Sequence, residues 1–219
     1  MPTLIEESSA QWTVDDLRRR FGPILLSRIR FSPAPGTAVE DDVVQIHERE
    51  RRLCELVDGT LVEKTMGSWE SSIAAELIRL LGNYNAETRR GVVLSSDGMV
   101  RLAPGLIRIP DVSFISWDRL RGRRLPDQAV LTSVPDLAVE ILSRGNTEEE
   151  MTGKLHHYLD AGVRLVWYID PRAEIARIYR GSLDAEIITI DQSIDGGDIL
   201  PGFTLPLREL LKNPVSPEG

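Results

Sequence analysis

The run "VRLVWYID", residues 163–170, constrains the fold of this chain more than any other stretch. It is nearly continuous in apolar side chains and shows no alternation between faces. Such a run suits a central strand covered on both sides. The elements around it agree with that reading. "RLCELVDGTLVEKTM" is a hairpin signal, two β-prone runs joined by Asp58-Gly59. "SWESSIAAELIRLLGNYNAETRR" has helical period, with Ile73, Ala74, Leu77, Ile78, Leu81 and Tyr84 on one face and Ser68 as the N-cap. "GVVLSSDGMVRLAPGLIRIPDVSFI" breaks into short strands at Asp97-Gly98 and Pro104-Gly105. The strand "DLAVEIL" precedes a helix from Thr147 to about Asp160, opened by a Thr147/Glu150 capping box and ended by Gly162. Two more strands, "EIARIYR" and "AEIITI", and a closing "LPGFTLPLRELL" follow. The order hairpin, helix, strands, helix, strands predicts a mixed sheet with helices packed on it.

Ahead of this core, residues 1–49 read as a helical appendage and linker. "TVDDLRRRFG" predicts a short helix capped by Thr13 and ended by Gly22, "SPAPG" a turn, and 39–52 a second helix. Residues 50–212 form the main domain and 213–219 a tail. A chain of 219 residues suits one domain of about 150–170 residues plus such an appendage.

No apolar run approaches the roughly 20 residues of a membrane span, and the N-terminus lacks a basic-then-apolar signal pattern. Cytoplasmic location is the expectation. The single cysteine, Cys54, rules out an internal disulfide framework and a cysteine zinc cage, and reads as a small core residue. The net charge of −8 argues against a protein that coats nucleic acid, but not against an enzyme touching DNA through a local basic patch. Phosphate-loop, dinucleotide, serine-elbow and H-E-x-x-H patterns are missing. His156 and His157 are adjacent on a helix, point about 100° apart, and read as exposed residues rather than ligands.

The informative residues are acidic. In "IPDVSFI", Asp111 opens a strand after Pro110, sharing a face with Ser113 and Ile115. In "DLAVEIL", Glu140 shares a face with Ala138 and Leu142. Buried carboxylates need a partner, and two of them on strands suggest a shared hard cation such as Mg²⁺. Glu70 lies on the apolar side of the first long helix, and Lys154 at the edge of the next helix's apolar stripe. Each has an ordinary alternative. Asp111 could simply start a strand, Glu140 could pair with an arginine, Glu70 could favour a helix dipole, and Lys154 could snorkel to the surface. Taken together, the four make the kit of a metal-dependent phosphodiesterase.

"ELVDGTLVEK", "RIPDVSFIS", "PDLAVEILS", "KLHHYLDAGVRLVWYIDP" and "DGGDILPGFTLPLREL" together resemble the Uma-two family of restriction endonuclease-like proteins, within the PD-(D/E)XK nuclease superfamily. The resemblance spans roughly residues 50–211. It implies a three-layer α/β/α core around a mixed sheet, and a Mg²⁺- or Mn²⁺-dependent nuclease acting on DNA. Pro110-Asp111 match the "PD", Glu140 the acidic position, and Glu70 the helix-borne auxiliary ligand. The short motif's lysine position holds Leu142, which shifts the lysine role to Lys154. Glu55 matches a recurrent family feature with no mechanism attached, and Ser143 either orients Glu140 or ends the strand. Arg119, Arg121, Arg123 and Arg124 form the best local basic patch for DNA, with a solvated loop as the alternative. Arg89 and Arg90 suit either DNA or their helix's C-terminal dipole. The resemblance also suggests a second copy of the chain as partner, since related nucleases pair two sites to cut two strands. The rival reading is a non-catalytic binding module that keeps the nuclease fold.

Overall fold

A computed structural model describes residues 12–212. Residues 1–11, the start of the appendage, and the 213–219 tail lie outside the described residues. In chain order the first elements are α1 (Val14–Phe21), α2 (Glu40–Glu50), β1 (Cys54–Val57), β2 (Thr60–Glu63), α3 (Ser68–Thr88), β3 (Gly91–Leu94), β4 (Met99–Ala103), β5 (Leu106–Arg108) and β6 (Val112–Ser116). There follow β7 (Val130–Leu131), β8 (Leu137–Ile141), α4 (Glu148–Asp160), β9 (Leu165–Asp170), β10 (Ile175–Tyr179), β11 (Ala185–Thr189), β12 (Ser193–Asp195), β13 (Thr204–Pro206) and α5 (Leu207–Leu210).

The central sheet has six strands in the order β11-β10-β9-β8-β6-β3. It is mixed: β8 and β9 run parallel, joined by the α4 crossover, while the other pairs are antiparallel. One face packs Val112, Phe114, Val139, Ile141, Trp167 and Ile169 against Ile73, Leu77 and Leu81 of α3. The opposite face packs Ala138, Val166 and Tyr168 against Met151, Leu155 and Tyr158 of α4. Helix, sheet and helix form three layers, as the apolar run in β9 requires. Trp167 is completely buried there, with Phe203 stacked at 6.1 Å between ring centres. Truncating Trp167 to alanine costs about 3–5 kcal/mol by the usual scale for a buried tryptophan.

A second sheet, β2-β1-β5-β4-β7, was not separated from the first by sequence period. Its hairpin turns at Asp58 and Gly59, whose positive φ values of 49° and 66° suit an Asp-Gly pair. Helix α2 covers it, with Val43 and Ile46 against Cys54, Leu56 and Ile107. Upstream, Arg28 clamps Glu150 of α4 through two hydrogen bonds of 3.0 and 2.8 Å.

Two helix starts differ from expectation. Gly67, not Ser68, is the N-cap of α3, because Ser68 is already helical and Glu70 lies against Gly67. A Cβ at Gly67 would come within 2.2 Å of a Glu70 carboxylate oxygen. At α4, Thr147 accepts from the Glu150 N–H as a cap should, but the Glu150 carboxylate is drawn to Arg28 instead of closing the box.

Candidate active site

Strand register brings the two principal carboxylates together. In the antiparallel β6–β8 pair, Ser113 faces Ala138 and Val112 faces Val139; Asp111 lies one residue before β6 and Glu140 one residue past that pair on β8. Alternation places both on the α4 side of the sheet. Asp111 locks the junction: its N–H donates to the Val139 carbonyl at 2.9 Å, and its Oδ2 accepts from the Ile141 N–H at 2.7 Å. Both acids are buried, Asp111 at 5% and Glu140 at 4% exposure.

Helix α4 supplies the partners. Lys154, His157 and Tyr158 stand at i, i+3 and i+4, on one face of the helix. Lys154 Nζ lies 3.1 Å from Glu140 Oε2, and the Tyr158 hydroxyl donates to Glu140 Oε1. The second sheet closes the site. Leu56 faces Ile107 across β1 and β5, so one step along Glu55 faces Arg108, and the two form an ion pair of 2.7 Å. Glu55 Oε1 also accepts from the Ile109 N–H and lies 3.3 Å from Lys154 Nζ. Lys64, just past β2, contacts Asp111 Oδ1 at 2.8 Å and donates to the Ile109 carbonyl.

The outcome is a network of three buried acids, Glu55, Asp111 and Glu140, and three bases, of which Arg108 and Lys154 are buried and Lys64 is half-buried. Burial pushes the Glu140 carboxyl upward; Lys154 pulls against that, and the neighbouring charge of Asp111 adds to the rise. Glu55 goes the other way. Desolvation opposes its charge, but Lys154, Arg108 and Lys64 overcome it and hold Glu55 well below the usual carboxylate range. Lys154 is likewise desolvated, yet Glu140 and Glu55 hold it protonated above its ordinary value. It is an ammonium at any pH near neutrality, not a base.

His157 is half-buried rather than exposed, because its Nδ1 meets the Arg108 guanidinium at 2.8 Å. A guanidinium only donates, so Nδ1 must be the unprotonated nitrogen. Burial first, then Arg108, lower its pKa to about 4. His156 is exposed as expected. Cys54 is buried and free, its thiol pushed up to about 11 by burial, which suits a core residue and not a nucleophile.

The other candidates lie apart from the carboxylate pair. Glu70 is buried, but on α3, which packs on the opposite face of the sheet; it pairs with Arg172 at 2.8 Å. Arg172 also donates to the carbonyl of Leu142, which ties Glu70 to the end of β8 without bringing it onto Asp111. Ser143 builds the turn after β8 through Asn146 and has no hydrogen bond to Glu140. Arg119 is fastened to Asp136 and the Gly162 carbonyl at the opposite end of β8. Arg121, Arg123 and Arg124 are exposed on that same loop, with Arg123 3.4 Å from Asp118. Arg89 ends α3 in a left-handed conformation, and its carbonyl accepts from Trp117. A cavity of about 210 Å³ next to α4 is lined by Leu142, Met151, Tyr168 and Arg172, but by neither Asp111 nor Glu140.

Divalent-cation binding by Asp111 and Glu140 is chemically coherent. They are neighbouring hard oxygen donors, and Mg²⁺ typically takes one or two carboxylates plus substrate phosphate oxygens. Among the described residues, no group of three or more His, Cys, Asp or Glu side chains could hold a metal by itself. A cation held at this pair would need water or substrate oxygens to complete its shell.

Sequence reading missed Lys64, Arg108 and Tyr158 and gave Glu55 no role. One signal was available. The chain has 26 basic residues but only three lysines, Lys64, Lys154 and Lys212, and two of these three are in the network.

A three-layer core that brings two strand carboxylates and a helix lysine to one sheet end defines an α/β protein of the restriction-endonuclease-like class. The chain belongs to the Uma2 family, whose model, described as "Putative restriction endonuclease", matches residues 40–208. Its fold is similar to that in the crystal structure of "a putative nuclease belonging to DUF820" from Anabaena variabilis, with a TM-score of 0.65 and 21% identity. That match covers 73% of this chain and 89% of the other. No curated protein matches the sequence. No helix among the described residues is long and apolar enough to cross a membrane.

Proposed function

We propose that this protein is a divalent-cation-dependent nuclease that hydrolyses phosphodiester bonds of DNA, with Asp111 and Glu140 as the cation ligands. The observation that carries the reading is the proximity of these two buried carboxylates where β6 and β8 pair, with the Lys154 ammonium 3.1 Å from Glu140. Family membership supports the same chemistry.

In the hydrolysis a water molecule loses a proton to solvent as its oxygen bonds to phosphorus, the phosphorus–ester oxygen bond breaks, and the leaving oxygen takes up a proton. A bound Mg²⁺ or Mn²⁺ supplies Lewis-acid polarisation of the phosphate and the water. Glu140 is held in one orientation by Lys154 and Tyr158, and Asp111 by the Ile141 N–H, so neither has to reorganise. Lys154 stabilises negative charge rather than accepting the water's proton, because two carboxylates keep it protonated. Glu55 is a positioning residue: it fixes Lys154 from the second sheet. Glu70, bound to Arg172, serves as an auxiliary group only if the ion pair opens. The arginines of the 119–124 loop would touch a nucleic acid at phosphates remote from the reacting one.

Purified protein should cleave duplex DNA with Mg²⁺ or Mn²⁺, and Asp111→Ala or Glu140→Ala should reduce cleavage below detection. Undiminished cleavage by both variants refutes the site. The complete internal pairing of the six charges favours a second reading, a binding module that keeps the fold without the chemistry. Calorimetric titration with Mn²⁺ separates the two, since the module has no binding that depends on Asp111.

A further inference from the structure

We infer that Lys64 is a resident countercation: its ammonium holds Asp111 until a divalent cation arrives, and it leaves when that cation binds. The inference rests on the proposed function and concerns a residue to which that reading gives no part.

Both oxygens of Asp111 are engaged, Oδ2 by the Ile141 N–H and Oδ1 by Lys64 Nζ at 2.8 Å. The amide that donates to Oδ2 belongs to the backbone of β8 and cannot swing away. The lysine contact is the one a cation can displace. The two lysines of the site differ in the way that matters here. Lys154 bridges carboxylates from two sheets, Glu140 and Glu55, and is pinned between them. Lys64 has one carboxylate and one carbonyl, and lies just beyond the end of β2. Its backbone is tied to the Leu53 carbonyl at 2.9 Å, so withdrawal needs only side-chain rotation.

Residue type supports the role. In a chain that uses arginine for nearly all its positive charge, lysine stands at this position. An ammonium on a flexible four-carbon stem makes one-point contacts and can swing away, whereas a guanidinium would clamp the carboxylate through a rigid fork. Charge balance points the same way. The closed network is neutral, with three acids against three bases. Adding a divalent cation with Lys64 in place leaves two excess positive charges in a buried site. Releasing Lys64 to solvent leaves one, which matches the single negative charge of a phosphodiester. Cation binding, lysine release and substrate charge are thereby coupled.

The test is Mn²⁺ calorimetry on the full chain, with the wild type, Lys64→Met, Lys64→Arg and Asp111→Ala. Lys64→Met should bind Mn²⁺ at least about tenfold more tightly than wild type, since a nearby opposing charge is removed. Lys64→Arg should bind no more tightly than wild type, and Asp111→Ala should lose binding. Amine acylation of the wild type, read by peptide mass spectrometry, gives a second measure that needs no variant to fold. Adding Mg²⁺ should speed the labelling of Lys64 and leave Lys154 protected. Equal Mn²⁺ affinity in wild type and Lys64→Met, or Lys64 labelling unchanged by Mg²⁺, overturns the inference. Loss of binding in Asp111→Ala would in that case leave the metal-site reading standing. Binding by neither wild type nor Lys64→Met overturns both.

Discussion

Asp136, just before β8, and Glu140, near its far end, lie about 13 Å apart at roughly 3.3 Å per residue. Both are buried acids, at 0% and 4% exposure. They are nevertheless opposites. Desolvation works against the charge of Asp136, but the Ser116 N–H at 2.8 Å, Arg164 and Arg119 outweigh it and lower its pKa. Those arginines reach out to solvent, so the pair sits at the boundary where ion pairing is cheap. Glu140 faces a sealed network, where desolvation and Asp111 raise its pKa despite Lys154. A buried carboxylate whose arginine partners reach solvent is satisfied and structural. One left with a poor balance in the interior is poised to bind something else.

Paired substitutions break this comparison most strongly. Glu140→Gln should eliminate DNA cleavage and cost less in denaturant unfolding than Asp136→Asn. The sign follows from linkage: a raised carboxyl pKa means that ionisation of Glu140 opposes folding. Its favourable contribution is present below the unfolded value near 4.5 and is lost as pH rises through the folded value. Asp136→Asn should do the reverse, keeping the cleavage rate at saturating DNA and costing about 2–3 kcal/mol in denaturant unfolding. Loss of stability in Glu140→Gln equal to that in Asp136→Asn would erase the distinction.

A smaller effect sharpens the electrostatics of the sealed end. His157 is held neutral, with its pKa depressed to about 4 against an ordinary 6.5. Between these values the unfolded chain binds a proton that the folded protein does not, so stability falls as pH drops from 6.5 to 4. His157→Gln keeps an acceptor for Arg108 and should flatten that part of the pH–stability curve. Thermal melts at closely spaced pH values measure it. The smallest effect belongs to the other end of β8. Replacing Arg121, Arg123 and Arg124 together by alanine should weaken DNA binding and flatten its salt dependence by about one unit of slope per lost phosphate contact. Cleavage at saturating DNA should not change.

Much of this arrangement was legible along the chain. The apolar run of β9 required cover on both faces, and α3 and α4 provide it. Alternation in "DLAVEIL" placed Glu140 on the face opposite Val139 and Ile141, where the structure has it. Lys154 at the edge of an apolar stripe was legible as a position but not as a buried one, because its burial comes from the second sheet. His157 is half-buried for the same reason: Arg108 of β5 lies over it. Glu70 read as facing the sheet, and it does, but period along a helix does not say on which side of the sheet that helix packs.

The local sequence determined where side chains point, because backbone geometry makes the face of a strand or helix a matter of counting residues. It thereby determined most of the strands and helices and the faces on which Asp111, Glu140 and Lys154 lie. Which charges meet was a matter for the tertiary structure alone. Asp111 and Glu140 come together where β6 meets β8, and Glu55, Lys64 and Arg108 reach them only because a second sheet packs against α4. Strand pairing is set by the burial of the whole core, and no window of neighbouring residues contains that information.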